Sequence, residues 1–182
     1  MREASGFPLT DPMSATDPQV RRTFDVVEQE LGFGMVPNIF RSMAYNPPLL
    51  AANWSKFKAT ILVGDLPRTV KEMIGVVVSE VNKSEYARLV HLHSLSVQGV
   101  PELWLKQLTV QSGDETDLPD SLAAVLPFAQ RAARDPLSIK DYSALTKAGF
   151  TNKEIFEVVA SIDLFQSVNA YTDLACVPVD AL

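Results

Sequence analysis

The feature that most constrains this fold is a pair of apolar, helix-periodic segments, Arg68–Val81 and Ser84–Gln98, joined only by Asn82-Lys83. Apolar residues three and four apart mark one face of a helix. A two-residue connection between helices leaves little but an antiparallel return. The segments are therefore expected to form a helical hairpin that brings Glu72 on the first arm toward the second. On the second arm Ala87 and His91 are four apart and share a face, and Ser84 lies seven before His91 on that same face.

The same periodicity, cut by proline, glycine and capping residues, runs through the rest of the chain. Asp17-Pro18 supplies an N-cap and a first-turn proline for a helix carrying Val20, Phe24, Val27 and Leu31, which Gly32 and Gly34 stop. Pro37 opens a short helical piece through Tyr45. Asn46-Pro47-Pro48 breaks the chain and restarts it as a helix over Leu49–Val63. Pro101 starts another helix, and the polar run Gln111–Asp120 reads as a loop. Ser121–Arg134 reads as a helix kinked or broken at Pro127, and Ile139–Ala148 as one ended by Gly149. Thr151 and Glu154 form a capping box for a last helix carrying Ile155, Val158, Val159, Ile162, Phe165 and Val168. With no strand alternation, repeat or linker, the expected fold is all-α. It has an irregular arm over residues 1–16 and one helical bundle domain over 17–182.

The 182 residues are 47% hydrophobic and 21% charged, enough for a sizeable single core and unlike a disordered chain. A net charge of −6 without any basic run argues against nucleic acid and anionic membrane as partners. The longest apolar runs are too short to span a bilayer. The N-terminus has no apolar signal core, and the lone cysteine, Cys176, can make no internal disulfide. A cytoplasmic location is expected.

The run from Glu72 to His91 also carries a resemblance. Glu72, eleven residues, Ser84-Glu85-Tyr86-Ala87, three residues and His91 is similar to the core of the alkylhydroperoxidase D-like proteins, within the carboxymuconolactone decarboxylase superfamily. Those proteins have a Cys-x-x-Cys where this chain has Ser84 and Ala87. Asn82 and Tyr86 fit the Asn-x-Cys-x-Tyr-Cys form of the peroxidase-related branch. Val36-Pro37-Asn38-Ile39-Phe40, Asn46-Pro47 and Asn169 extend the likeness over Phe33 to Val177. The resemblance implies a helical homo-oligomer, a homodimer or a hexamer built as a trimer of dimers. The apolar residues of Leu49–Val63, Val76–Val81 and Ile155–Val168 point the same way. No cofactor is implied.

In such a motif the helix N-terminus favours thiolate, the histidine moves protons, and the glutamate orients it. Here the thiols are gone. Ser84 is either a weak nucleophile lacking an oxyanion hole or, more simply, the N-cap of the second helix, bonding an amide near Ala87. His91 is either an acid/base group held by Glu72 or a relic, as a satisfied buried histidine or one exposed to solvent. Glu72 either serves that pair or is an ordinary helix-surface carboxylate paired with Arg68 four residues back. Tyr86 donates into a pocket or packs its ring. His93, two residues from His91, points off that face. Glu72, His91 and His93 have no recognised metal-ligand spacing, so no metal is expected. Cys176 can restore thiol chemistry only if the fold sets it beside His91.

Two functions compete. The first is a non-thiol enzyme using Glu72 and His91 for proton transfer on a small carbonyl- or carboxylate-bearing substrate. The second is a non-catalytic ligand-binding or assembly protein. An alkyl hydroperoxide reductase ranks below both because Ser84 and Ala87 replace its cysteines. An apolar pocket reaching Glu72 and His91 would favour an enzyme or binder, and a filled space would favour a vestige.

Overall fold

The computed structural model describes residues 6–109 and 118–182. These hold nine α-helices and no strand. Helix α1 (Pro18–Leu31) starts at Asp17, whose carboxylate accepts the amides of Gln19 and Val20, and ends at Gly32 in the left-handed region. Short α2 spans Asn38–Ser42. Helix α3 (Pro47–Phe57), capped by Asn46, runs into a π-turn over Lys58–Leu62. Then come α4 (Arg68–Asn82), α5 (Glu85–Val97), α6 (Glu102–Thr109), α7 (Asp120–Arg134), α8 (Ser143–Lys147) and α9 (Asn152–Leu174).

The hairpin turn has a definite mechanism. Lys83 takes the left-handed conformation (φ 58°). Its amide bonds Glu80 O and the next, from Ser84, bonds Ser79 O. This is the Schellman closure of a helix C-terminus. It sends α5 back along α4, so Glu72 meets His91 and Arg68 meets Ser94. Helix α4 is the hub, packed against α5, α7 and α9. Two apolar clusters flank it. One gathers Ile74, Val125, Leu145 and Phe165, and the other Phe24, Val27, Leu50 and Trp54 with the start of α5. Phe57, Leu62 and Val168 pack against both.

The structure corrects several expectations. Helix α7 continues through Pro127 without a break. Ile139–Tyr142 is not helical. Asp135 instead caps a 3-10 turn over Pro136–Ser138, and the Asp141 carboxylate accepts the Ser143 amide, so α8 begins only at Ser143. Helix α2 stops at Ser42, short of Tyr45. Val159 lies on the exposed side of α9, and Val76 and Val78 are wholly covered within the chain, so they offer no oligomer surface. The capping box of Thr151 and Glu154 forms as expected. Residues 1–5 of the arm and 111–117 of the polar loop lie outside the described residues. The remaining arm carries a 3-10 turn, Pro12–Ser14. Among the described residues no helix is long and apolar enough to cross a membrane.

Candidate active site

Glu72 sits one turn inside α4 and His91 midway along α5, and the hairpin places them in direct contact. The His91 Nδ1 and Glu72 Oε2 atoms are 2.7 Å apart. Both residues are buried, at 2% and 4% exposure. The other carboxylate oxygen, Oε1, accepts from Ser94 Oγ at 2.8 Å and Arg68 Nε at 3.2 Å. Arg68 also donates to the carbonyl of Leu31, which ties α1 to the site. Burial pushes the Glu72 carboxyl upward, but the His91 hydrogen bond, the charges of His91 and Arg68, and the Ser94 hydroxyl outweigh it and hold it below its ordinary value. A carboxylate can only accept, so with Glu72 ionised the donor of this bond is His91 Nδ1. That fixes the tautomer: in the neutral imidazole Nε2 carries the lone pair.

Nε2 is buried and has no hydrogen-bond partner. Leaving such an atom unpaired costs about 1–3 kcal/mol, so its position calls for a reason. The ring is held from both sides. Phe165 meets it edge-on at 4.4 Å between centroids. On the opposite helix a Cβ added at Gly75 would fall 2.8–2.9 Å from the imidazole atoms. Gly75 is thus the residue that lets α4 and the ring approach.

His91 and Glu72 line a cavity of about 30 Å³. Its walls include Leu31, Phe33, Phe40 and Phe57, and Ala87 and the Tyr86 ring also border it. A space of that size holds about one water molecule. The Tyr86 hydroxyl is committed elsewhere. It donates to Asp180 at 2.8 Å and accepts the Ile39 amide at 3.1 Å. Burial, with the Asp180 charge and hydrogen bond, raises its pKa far above the ordinary value. Asp180 also accepts the Asn38 amide at 2.7 Å. Together Tyr86 and the chain's last residues cap α2, whose own N-cap position is Pro37, and so set Phe40 at the cavity.

Ser84 occupies the N-cap position of α5 but makes no side-chain cap bond. Its hydroxyl turns to Asp173 Oδ1, 3.3 Å away. This corrects the expected bond to an amide near Ala87. Cys176, beyond the end of α9, does not line the cavity with His91. His93 lies against Phe33 at 5.5 Å, off the pair's side of α5. Among the described residues no group of three or more His, Cys, Asp or Glu could hold a metal. Sequence reasoning missed Ser94 and Gly75. The signal for each was available, since Ser94 follows His91 by three and Gly75 is a glycine inside a helix, three after Glu72.

With this geometry in view, comparison with known proteins places the fold. No family model matches the sequence, and no curated protein matches it. Solved structures do. An uncharacterized peroxidase-related protein from Ralstonia eutropha JMP134, with the alkylhydroperoxidase AhpD core, superposes with a TM-score of 0.85 at 23% identity, covering 97% of this chain and 93% of its own. The chain has the alkylhydroperoxidase D-like fold. A peroxidase-related protein from Silicibacter sp. TM1040 also gives 0.85, at 22% identity, over 100% of this chain and 95% of that one. A cysteine-to-alanine variant of the debrominase Bmp8, in complex with 2,3,4-tribromopyrrole, gives 0.82 at 20% identity, over 99% of this chain and 94% of its own. The sequence resemblance and the alkylhydroperoxidase D-like fold therefore agree.

Proposed function

We propose that this protein is a non-thiol acid–base enzyme of the alkylhydroperoxidase D-like fold. In this reading His91 Nε2 takes a proton from, and returns one to, a small carbonyl- or carboxylate-bearing substrate. The single observation that carries the reading is the asymmetry of His91: Nδ1 bonds a buried carboxylate, while Nε2 is buried and unpartnered. As Nε2 takes the proton, the imidazolium that forms is stabilised by Glu72, itself held by Arg68 and Ser94. Proton transfer then needs no thiol, which suits the Ser84 and Ala87 replacements. A homo-oligomer is part of the proposal, resting on the resemblance and on exposed apolar residues such as Leu49, Val63 and Phe156.

A second reading, a non-catalytic member of the fold that keeps the pair as a structural post, is favoured by the small volume of the cavity. One assay separates the two. A panel of small ketones, keto acids and carboxylates is incubated with the protein in deuterium oxide, and exchange at the carbon beside the carbonyl is followed by NMR. Accelerated exchange that falls by about 10²–10⁴ in His91→Gln supports the enzyme. Exchange that persists in His91→Gln removes the pair from the chemistry, and an inert panel favours the structural post.

A further inference from the structure

A second cavity, of about 230 Å³, opens between α2, α3 and α9. It and the small cavity at His91 share four lining residues: Ile39, Phe40, Phe57 and Val168. A thin partition of apolar side chains therefore separates an outer chamber from an inner one that ends at Glu72 and His91. At its centre the rings of Phe40 and Phe57 meet edge-on, 5.8 Å apart and at 89°. Phe40 belongs to a five-residue helix. Phe57 is the last residue of α3, directly before the π-turn of Lys58–Leu62. Single π-turns inside helices loosen the regular ladder and recur at functional positions. Phe57 is half-buried and stacked on Trp54, while Phe40 is buried, so Phe57 is the more exposed of the two rings in the partition.

We infer that the outer chamber is the entrance to the His91 site, that Phe57 is its gate, and that the ligand is a small carboxylate with a planar or branched apolar body. The route stands on the shared walls, and the ligand class rests also on the acid–base reading of His91. With the gate open the two chambers approach the lower end of the about 300–1,000 Å³ usual for small-molecule sites. Their linings sort the ligand's ends. Lys56 is the sole charged residue lining the outer chamber, and Asn53 lies one turn before it. Lys56 is bonded at 2.7 Å to Asp163, but their side chains are 49% and 68% exposed. So exposed a pair is weak and exchanges readily for a ligand carboxylate. Inward from Lys56 the shared walls are Ile39, Phe40, Phe57 and Val168, and the inner chamber is bordered by Glu72 and His91. The carboxylate would stay at Lys56, the apolar body would lie between Phe40 and Phe57, and the reacting end would meet Nε2.

Diethyl pyrocarbonate tests the route without any knowledge of the substrate. It acylates unprotonated imidazole nitrogen, and peptide mass mapping gives the rates at His91 and His93 in the same sample. The native protein should show slow modification at His91 relative to His93. Phe57→Ala should raise that ratio about tenfold and Phe57→Trp, which plugs the partition, should lower it. Leu145→Ala, a cavity mutation at a residue that lines neither chamber, should leave it unchanged. A ratio insensitive to both Phe57 variants, or raised equally by Leu145→Ala, overturns the route. Millimolar benzoate should protect His91 in the native protein and in Asp163→Asn, but not in Lys56→Ala, and benzamide should not protect. Absence of benzoate protection overturns the carboxylate class. The acid–base reading fails separately, if deuterium exchange persists in His91→Gln while the Phe57 dependence holds.

Discussion

Two consecutive residues of α4 are buried and paired, Lys71 with the half-buried Glu157 and Glu72 with the buried His91, and the pairs differ in what they leave over. Lys71 is 1% exposed, and its ammonium donates to Val63 O at 2.7 Å and meets Glu157 at 2.9 Å. Glu157 in turn accepts the amides of Asp65 and Leu66. Gly64, at φ 118°, lies so close to that carboxylate that an added Cβ would have to displace it. Both partners are bonded to other protein groups, and together they tie the Val63–Leu66 turn to α9. The neighbouring pair, Glu72 and His91, is equally well held on the carboxylate side but ends in a free Nε2. Burial of a charge pair therefore does not mark a site by itself. The closed pair builds the scaffold, and the pair with one unused atom is available to a ligand.

The largest effect should come from breaking the closed pair. Lys71→Met leaves the Glu157 carboxylate without its cation, and urea unfolding should show a loss of about 3 kcal/mol while deuterium exchange at the His91 site is kept. The pH dependence sharpens this. Burial pushes Glu157 upward, but the Asp65 amide, Lys71 and the Leu66 amide outweigh it and hold the carboxyl below its ordinary value of 4.5. A carboxyl depressed in the folded state adds stability above its unfolded pKa, which is lost as pH falls through the folded value. The native protein should lose stability below about pH 4.5, and Lys71→Met should flatten that limb. An unchanged unfolding midpoint would place the pair among the dispensable contacts.

Gly75→Ala should do less to stability and more to the open pair. Alanine gains about 0.8–1 kcal/mol of helix propensity, but forcing a methyl against the imidazole costs about 1–3 kcal/mol, and Phe165 blocks retreat. The expected net loss is about 1 kcal/mol. The sharper readout is the proton on His91 Nδ1. Its low-field NMR signal should weaken or vanish as the ring leaves Glu72, and exchange activity should fall with it. A preserved signal would show that α4 shifts instead of the ring.

The contrast also explains which parts of the molecule were legible in the sequence. The hairpin was, because periodicity and a two-residue connection are local, and so was the meeting of Glu72 with His91. Thr151 and Glu154 were legible as a capping box for the same reason. The reading of Glu72 as a helix-surface carboxylate fails, since it is 2% exposed, but its bond to Arg68 forms beside the bond to His91 because its two oxygens serve different donors. The role of Tyr86 was not legible. Its partners, Ile39 and Asp180, are 47 and 94 residues away. Ile139–Tyr142 misled because its apolar spacing fits a helix while Asp135 and Asp141 bond nearby amides instead. Ser84 holds the N-cap position, but the nearness of Asp173 on α9, a tertiary fact, draws its hydroxyl away.

The smallest expected effect tests whether the site can be returned to thiol chemistry. Peroxide reduction needs one thiolate to attack and a second thiol to resolve the sulfenic acid. Ser84 and Ala87 supply neither, so the unmodified protein should not turn over alkyl hydroperoxides with a dithiol reductant. Replacing Ser84 and Ala87 together by Cys sets two thiols at the start of α5, where the helix dipole favours thiolate. Only the position of Ala87 borders the cavity with His91; the Ser84 side chain faces the Asp173 carboxylate. That like charge should raise the pKa of a thiol at position 84 and keep the activity weak. Adding Asp173→Asn should then increase it a few-fold at low salt and less at high salt, because Asp173 is exposed and screened. The gain should require His91. Activity in the unmodified protein that disappears with Cys176→Ser would instead identify Cys176 as the reacting thiol and overturn this assignment.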